Sequence, residues 1–189
     1  MEKSFIKANV SFAEVLTNAI DKIYKPAGFL MDEVVQEAES IEYGAHRFRL
    51  DDKCVVFRVA KTTPTKIGQF VTLWKRPHPL EQLTALSRNP APLHCDDGID
   101  FVVVHVDDET QWRQFIFNRE ILIEKGIMEA AASKGKTGFR IYPPWSKPVA
   151  ADALKSQKWQ RRYFVQMGNY EENLDMDVVR GLFSALFNS

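Results

Sequence analysis

The chain has 189 residues, enough for one domain or for one domain with a small appendage, and with 45% hydrophobic and 12% aromatic residues it is not a disordered chain. Its longest apolar runs, such as Phe101–Val104, are far too short to span a bilayer, and the opening Met-Glu-Lys-Ser-Phe-Ile lacks the basic-then-apolar order of a signal peptide. With 25 basic and 25 acidic residues it is formally neutral, and Cys54 and Cys95 lack paired spacing, so the expectation is a reduced, cytoplasmic domain with no membrane partner.

The first predicted element is a helix from about Phe12 to Tyr24. Ser11 and Glu14 stand at capping-box spacing, and Phe12, Val15, Leu16, Ala19, Ile20 and Ile23 form one apolar stripe. Pro26 and Gly28 end it. A shorter helical stretch is expected near Met31–Ser40, with Asp32, Glu33, Glu37 and Glu39 as its polar face. From Tyr43 the period changes to two. His46–Leu50, Val55–Ala60 and Gln69–Trp74 read as strands, joined by an Asp51-Asp52-Lys53 turn and a Thr62–Gly68 loop marked by Pro64 and Gly68.

The Pro-rich segment Arg76–Gly98 is punctuated, with a helical turn or two expected at Leu80–Leu86. Ile99–Val106 is a β-branched strand and Gln111–Phe117 its hairpin partner. Asn118–Gly126 reads as a short helix ended by glycine, Gly138–Tyr142 as a strand stopped by Pro143-Pro144, and Lys155–Met167 as a helix. A last amphipathic helix spans Asp175–Phe187, with Val178, Val179, Leu182, Phe183, Leu186 and Phe187 on one side. The order predicts an α/β (α+β) fold: a central mixed, mainly antiparallel sheet flanked by helices. Residues 1–167 would form a single domain, and residues 168–189 a C-terminal helix packed on it or at an interface.

Neutrality hides segregated charge. Residues 1–52 hold ten acids and six bases, and residues 96–109 hold six acids and no Lys or Arg. Lys53–Leu80 holds six cations and no acid, and residues 133–166 hold eight bases against Asp152 alone. Such segregation creates local fields even when the sum is zero. The first basic block includes Arg58, Lys61, Lys66, Lys75 and Arg76, on or beside strands, with Thr62, Thr63 and Thr65 as further donors. In the second block, GFRIYPPWSKP and SQKWQRRYF interleave Arg140, Lys158, Arg161 and Arg162 with Tyr142, Trp145, Trp159, Tyr163 and Phe164. Cations that neutralise phosphates beside aromatic faces that stack on bases suit single-stranded nucleic acid. The competing reading makes the strand cations a solvated face and the helix aromatics core residues.

Metal chemistry is the sharper alternative. Asp51-Asp52, Asp96-Asp97 and Asp107-Asp108-Glu109 offer oxygen ligands to a hard cation such as Mg²⁺, and two carboxylates with a lysine would make a phosphodiesterase site. Paired Asp residues at strand ends are equally common turn formers. His94-Cys95-Asp96 is no recognised zinc spacing, and His46, His78 and His105 sit singly on different elements. No P-loop, GxGxxG, HExxH or GxSxG pattern appears.

The blocks FRVAKTTPTKIGQFVTLWKR, GFRIYPPW and QKWQRRYF, in that order, resemble the MepB family of small bacterial proteins over roughly Tyr43 to Phe164. The resemblance implies a fold similar to the PD-(D/E)xK restriction endonucleases and binding of nucleic acid, favouring RNA or single strands. The nuclease constellation does not carry over. Asp51 or Asp52 would stand for the first acid, but Val59-Ala60-Lys61 and Leu73-Trp74-Lys75 have apolar residues where the second acid belongs. The expectation is therefore a nucleic-acid-binding protein that does not cleave and needs no cofactor. A Mg²⁺-dependent nuclease using Asp51, Asp52 or the Asp96–Asp100 acids is the alternative. A third reading is a protein-interaction module, or a homodimer held through the Phe183/Leu186/Phe187 helix.

Overall fold

The structure, a computed structural model, describes residues 11–76, 89–107, 112–166 and 176–184. Helix Phe12–Ala19 (α1) starts on a capping box: Ser11 Oγ accepts from Glu14 N at 3.2 Å, and Glu14 Oε2 accepts from Ser11 N at 2.7 Å. It continues as a π-helical turn, Ile20–Tyr24. Strands Met31–Gln36 (β1), His46–Leu50 (β2) and Lys53–Val59 (β3) form an antiparallel meander. Lys61–Thr63 (β4) and Lys66–Thr72 (β5) make a hairpin, followed by the short strands Trp74–Lys75 (β6) and Ala91–Pro92 (β7).

Phe101–Asp107 (β8) and Trp112–Asn118 (β9) pair antiparallel, and Asn118 Oδ1 then caps helix Arg119–Glu124 (α2) by accepting from Ile121 N at 3.0 Å. Glu129–Ala130 (β10), Ser133–Lys134 (β11) and Gly138–Ile141 (β12) lead to helix Ala151–Gln160 (α3). A 3₁₀ turn over Arg161–Tyr163, the strand Phe164–Gln166 (β13) and the helix Met176–Ser184 (α4) complete the described chain.

The main sheet has the order β1-β2-β3-β8-β9-β13; β3 and β8 are parallel and every other neighbouring pair is antiparallel. A second, three-stranded antiparallel sheet has the order β12-β5-β4. The expected α+β class with a mainly antiparallel sheet flanked by helices holds. Alternation along β3 divides the core as the sequence predicts. Val55, Phe57 and Val59 join a cluster with Leu16, Ile23 and Phe183 from the helices, whereas Val56 and Ala60 join Val71, Leu73, Phe117 and Ile141 under the second sheet. On α4, Phe183 meets Tyr24, Phe29 and Phe101 edge-on at 6.0, 5.2 and 5.0 Å. Phe183 thus belongs to the core. Leu186 and Phe187 lie outside the described residues, as do Leu80–Leu86. Among the described residues no helix is long and apolar enough to cross a membrane.

Three expected elements differ. Met31–Gln36 is an edge strand, not a helix; its acids lie on exposed backbone, and a bulge between Asp32 and Val35 holds Glu33 at φ 50°. The Thr62–Gly68 loop contains most of β4 and the start of β5, so Pro64 and Thr65 are the turn of a hairpin. The helix expected over Lys155–Met167 starts earlier, at Ala151, and stops at Gln160; Phe164 is already extended because β13 adds to the edge of β9.

Arg58, expected on a phosphate-facing surface, is instead the largest fully buried side chain. It stands in β3 on the side of Val56 and Ala60, only 1% exposed. Its Nη2 lies 2.6 Å from Glu37 Oε2, and its Nη1 donates to Phe57 O at 2.9 Å. Arg47 Nε donates to the other Glu37 oxygen at 3.0 Å. Burial pushes the Arg58 pKa down and Glu37 opposes that shift. Removing one partner of such a pair leaves the other charge buried and unmatched, at a cost of about 3–5 kcal/mol. Glu37→Gln should therefore lower unfolding stability by about 3 kcal/mol in urea titration, and a Glu37→Leu/Arg58→Met double variant should recover most of it. A Glu37→Gln protein as stable as wild type would remove the pair from its structural role.

Candidate functional site

The two basic blocks have different fates. The first is matched by acids from elsewhere in the chain. Besides Arg58, Lys75 pairs with Asp97, and Arg76 Nε lies 2.8 Å from Glu39 Oε1. Of its cations, Lys61 and Lys66 make no ion pair among the described residues. Lys61 lies 4.6 Å above the Tyr43 ring, and Lys66 is exposed at the hairpin turn.

The second block stays largely open. Lys158, Arg161 and Arg162 are exposed at the end of α3 and in the following turn, and neither they nor Lys136 make an ion pair among the described residues. Arg140 is anchored: Nη2 donates to Thr63 Oγ1 at 2.9 Å, and Nη1 to Gly68 O at 3.3 Å. Cross-strand register places it beside Phe70, with Lys61 on the far side of Phe70, so Arg140–Phe70–Lys61 is one row on the outer face of the second sheet. That row is where the two blocks meet.

Two adjoining concavities lie beside this row, between β12, the turn after α2, and α3. The first, about 390 Å³, is lined by Phe70, Lys125, Lys136, Arg140, Tyr142 and Trp159 among others. The second, about 530 Å³, is lined by Lys125, Asp152, Lys155, Ser156, Lys158, Trp159 and Arg162. Lys125, Ser156 and Trp159 belong to both, so the two form one groove with Trp159 at its middle. Six cations line it, and Asp152 is the one acid among the lining residues. Lys125 and Lys155 have acidic neighbours, Glu124 at 2.6 Å and Asp152 at 3.8 Å, so the excess rests on Lys136, Arg140, Lys158 and Arg162.

Of the expected binding residues, Arg140, Tyr142, Lys158, Trp159 and Arg162 are brought together here, with Arg161 and Lys61 flanking. Arg58, Lys75 and Arg76 are not. Trp145 is not either: its ring stacks over the Arg113 guanidinium at 4.3 Å and meets Phe164 at 6.0 Å. Trp159 and Tyr163 both pack as the competing core reading expects, and Trp159 alone of the two also lines the groove. Each packs on Phe117, at 5.3 and 5.7 Å. Sequence reasoning missed Lys125, Lys136 and Lys155 as lining residues; the signal for the last two was their membership of the second basic block.

It also missed the glutamines that position α3. Strand β12 is an edge strand, and its free backbone groups are met by a side chain. Gln160 Nε2 donates to Arg140 O and Gln160 Oε1 accepts from Tyr142 N, both at 2.8 Å. One turn earlier, Gln157 Nε2 donates to Pro143 O and Ser146 O at 2.9 Å. In QKWQRRYF the glutamines therefore bind backbone, the tryptophan packs on the core, and the cations face solvent.

Of the carboxylates considered for Mg²⁺, Asp108 and Glu109 lie outside the described residues, and three others accept backbone hydrogen bonds. Asp51 Oδ1 accepts from Leu30 N at 2.9 Å, Asp100 Oδ2 from Cys54 N at 2.9 Å, and Asp97 from His94 N at 2.8 Å. Val59 and Leu73, where a nuclease's second acid would stand, are buried. A lysine does stand beside one of these acids: Lys75 pairs with Asp97, whose other oxygen accepts from His94 N. His94, Cys95 and Asp96 place donor atoms within 4.8 Å of one another in a turn where Asp96 N donates to His94 Nδ1 at 3.2 Å.

The Gln160 clamp predicts a measurable cost. Gln160→Leu leaves Arg140 O and Tyr142 N without their partners, at about 1–3 kcal/mol for each buried group left unmatched. The expected loss is about 2 kcal/mol, seen as a lower urea midpoint with unchanged slope. An unaltered midpoint would show that α3 is held to β12 by other contacts.

The chain is similar to a solved structure, the crystal structure of MepB, with 29% identity and a TM-score of 0.67, over 85% of this chain and 98% of that one. No curated protein matches it. The MepB-like family model matches residues 37–166, from the acid that pairs with Arg58 to the last residue of β13. By that match, over more than half of its length, the chain belongs to the MepB-like family.

Proposed function

We propose that the groove centred on Trp159 binds nucleic acid, RNA or single-stranded DNA, in the cytoplasm and without cleaving it. The observation that carries this reading is the lining itself: six cations against Asp152, with Trp159, Tyr142 and Phe70 among them. A phosphate backbone laid along such a groove releases counterions at each Lys or Arg it meets, and unstacked bases find aromatic faces within it. The nuclease-like core implied by the family resemblance agrees with a ligand of this kind. Lys61, across Phe70 from Arg140, and Lys66, where β5 leaves the β4–β5 turn, extend the cationic track.

The contrast between the two basic blocks supplies the test. Affinity for a labelled single strand should fall linearly with log salt, with a slope of about −0.7 for each phosphate neutralised. Replacing Lys136, Lys158 and Arg162 together by Ala should flatten that slope by about 2. Replacing Lys75 and Arg76, already paired with Asp97 and Glu39, should leave it unchanged. Anisotropy titrations in which the first triple variant keeps the wild-type slope would refute the assignment.

A further inference from the structure

The two halves of the groove differ in chemistry. On the far side of Trp159 the second concavity presents Lys155, Lys158 and Arg162, and no aromatic residue but Trp159 itself. On the β12 side, the first concavity has Phe70, Phe139, Tyr142 and Trp159 in its walls, beside Lys125, Lys136 and Arg140. Those walls are fixed before any ligand arrives. Gln160 holds α3 to β12 through two hydrogen bonds of 2.8 Å. Arg140, which lies 5.9 Å from the Phe70 ring centroid, is tied to the β4–β5 hairpin by Thr63 and Gly68.

Gly138 shapes the floor. A Cβ there would stand 2.7 Å from Phe70 Cζ and 2.8 Å from Val71 O, so the absence of a side chain lets the Phe70 ring lie across β12. The Tyr142 and Ser156 hydroxyls have no hydrogen-bond partner among the described residues and are open to one. A preformed aromatic cleft with a few polar groups is the setting of a planar ring; a row of lysines and arginines is the setting of phosphates.

We propose that the concavity bounded by Phe70, Tyr142 and Trp159 is a nucleobase pocket, which takes one unstacked base of a bound strand while Lys155, Lys158 and Arg162 hold the phosphates that follow. This rests on the groove binding nucleic acid, and adds that binding depends on the base as well as on the charge. Such a pocket is closed to a base inside a duplex, so single strands are the ligand class it takes.

Two probes separate the claims: a single strand of about 12 nucleotides, and the same sugar–phosphate strand with abasic positions throughout. The intact strand should bind about tenfold more tightly than the abasic one, the size expected for one stacked base. Tyr142→Ala and Phe70→Leu, which each take an aromatic ring from a wall of the first concavity alone without altering charge, should each bring the intact strand down to the abasic level at an unchanged salt slope. Circular dichroism of each variant checks that the fold is kept. Equal affinity of the wild-type protein for the two strands overturns the pocket and leaves the electrostatic groove standing. Variants that retain the tenfold preference place the base elsewhere and overturn it too. Failure of the wild-type protein to bind either strand overturns both readings.

Discussion

Arginine does not give up its proton at ordinary pH, so a fully buried Arg58 obliges the chain to bring an acid to it. Glu37, directly after β1, is that acid, and meeting Arg58 fixes where the β1–β2 connection runs. The connection is then stitched down along its length. Glu39 pairs with Arg76, the Thr72 hydroxyl donates to Ser40 Oγ at 2.7 Å, and Tyr43 meets Phe70 edge-on at 6.3 Å. Ser40 adopts a left-handed conformation, φ 59°, to allow it. A segment of seven residues, Glu37–Tyr43, thus joins the edge of the main sheet to the outer face of the second one. The start of the family match at residue 37 coincides with the first residue of this stitch.

The same pairings redistribute the charge. Acids from the two acid-rich stretches, Glu37 and Glu39 from one and Asp97 from the other, are consumed by Arg58, Arg76 and Lys75 of the first basic block. Among the described residues, what remains unmatched is Lys61 and Lys66 of the first block and most of the second block, gathered around α3 and the turn before β12. A net charge of zero is therefore compatible with a strongly one-signed groove. Screening over about 10 Å in ordinary salt makes a ligand feel the nearby cations more than the distant acids. The chain average, 25 against 25, describes no particular place on the surface.

How much of this was legible depended on whether a residue's partner was near in sequence. The capping box at Ser11–Glu14, the alternation along β3 and the β8–β9 hairpin are local or periodic, and the structure carries each of them. Met31–Gln36 was misread because an exposed edge strand needs no apolar alternation, and its acids look like a helix's polar face. Arg58 was misread for the opposite reason: its partner lies 21 positions earlier, and nothing near it shows that a cation in a β-branched strand is buried. The end of α3 was misread because β13 adds to β9 through tertiary pairing, which overrides a helical pattern at Phe164.

The glutamines of QKWQRRYF carry the most instructive omission. Lysines, arginines and aromatics advertise a ligand, so a reader assigns such a block to binding as a whole. In the structure the block divides by residue type. Gln157 and Gln160 complete the backbone of an edge strand and the loop after it, and Trp159 closes the core against Phe117. On the helix held in this way, Lys158, Arg161 and Arg162 are exposed. A backbone amide paired by a side chain is a fixed point in a way that a surface cation is not, since a lone exposed ion pair contributes about 0–1 kcal/mol. The precision of the groove therefore comes from its neutral residues, and its charge is what those residues hold in place.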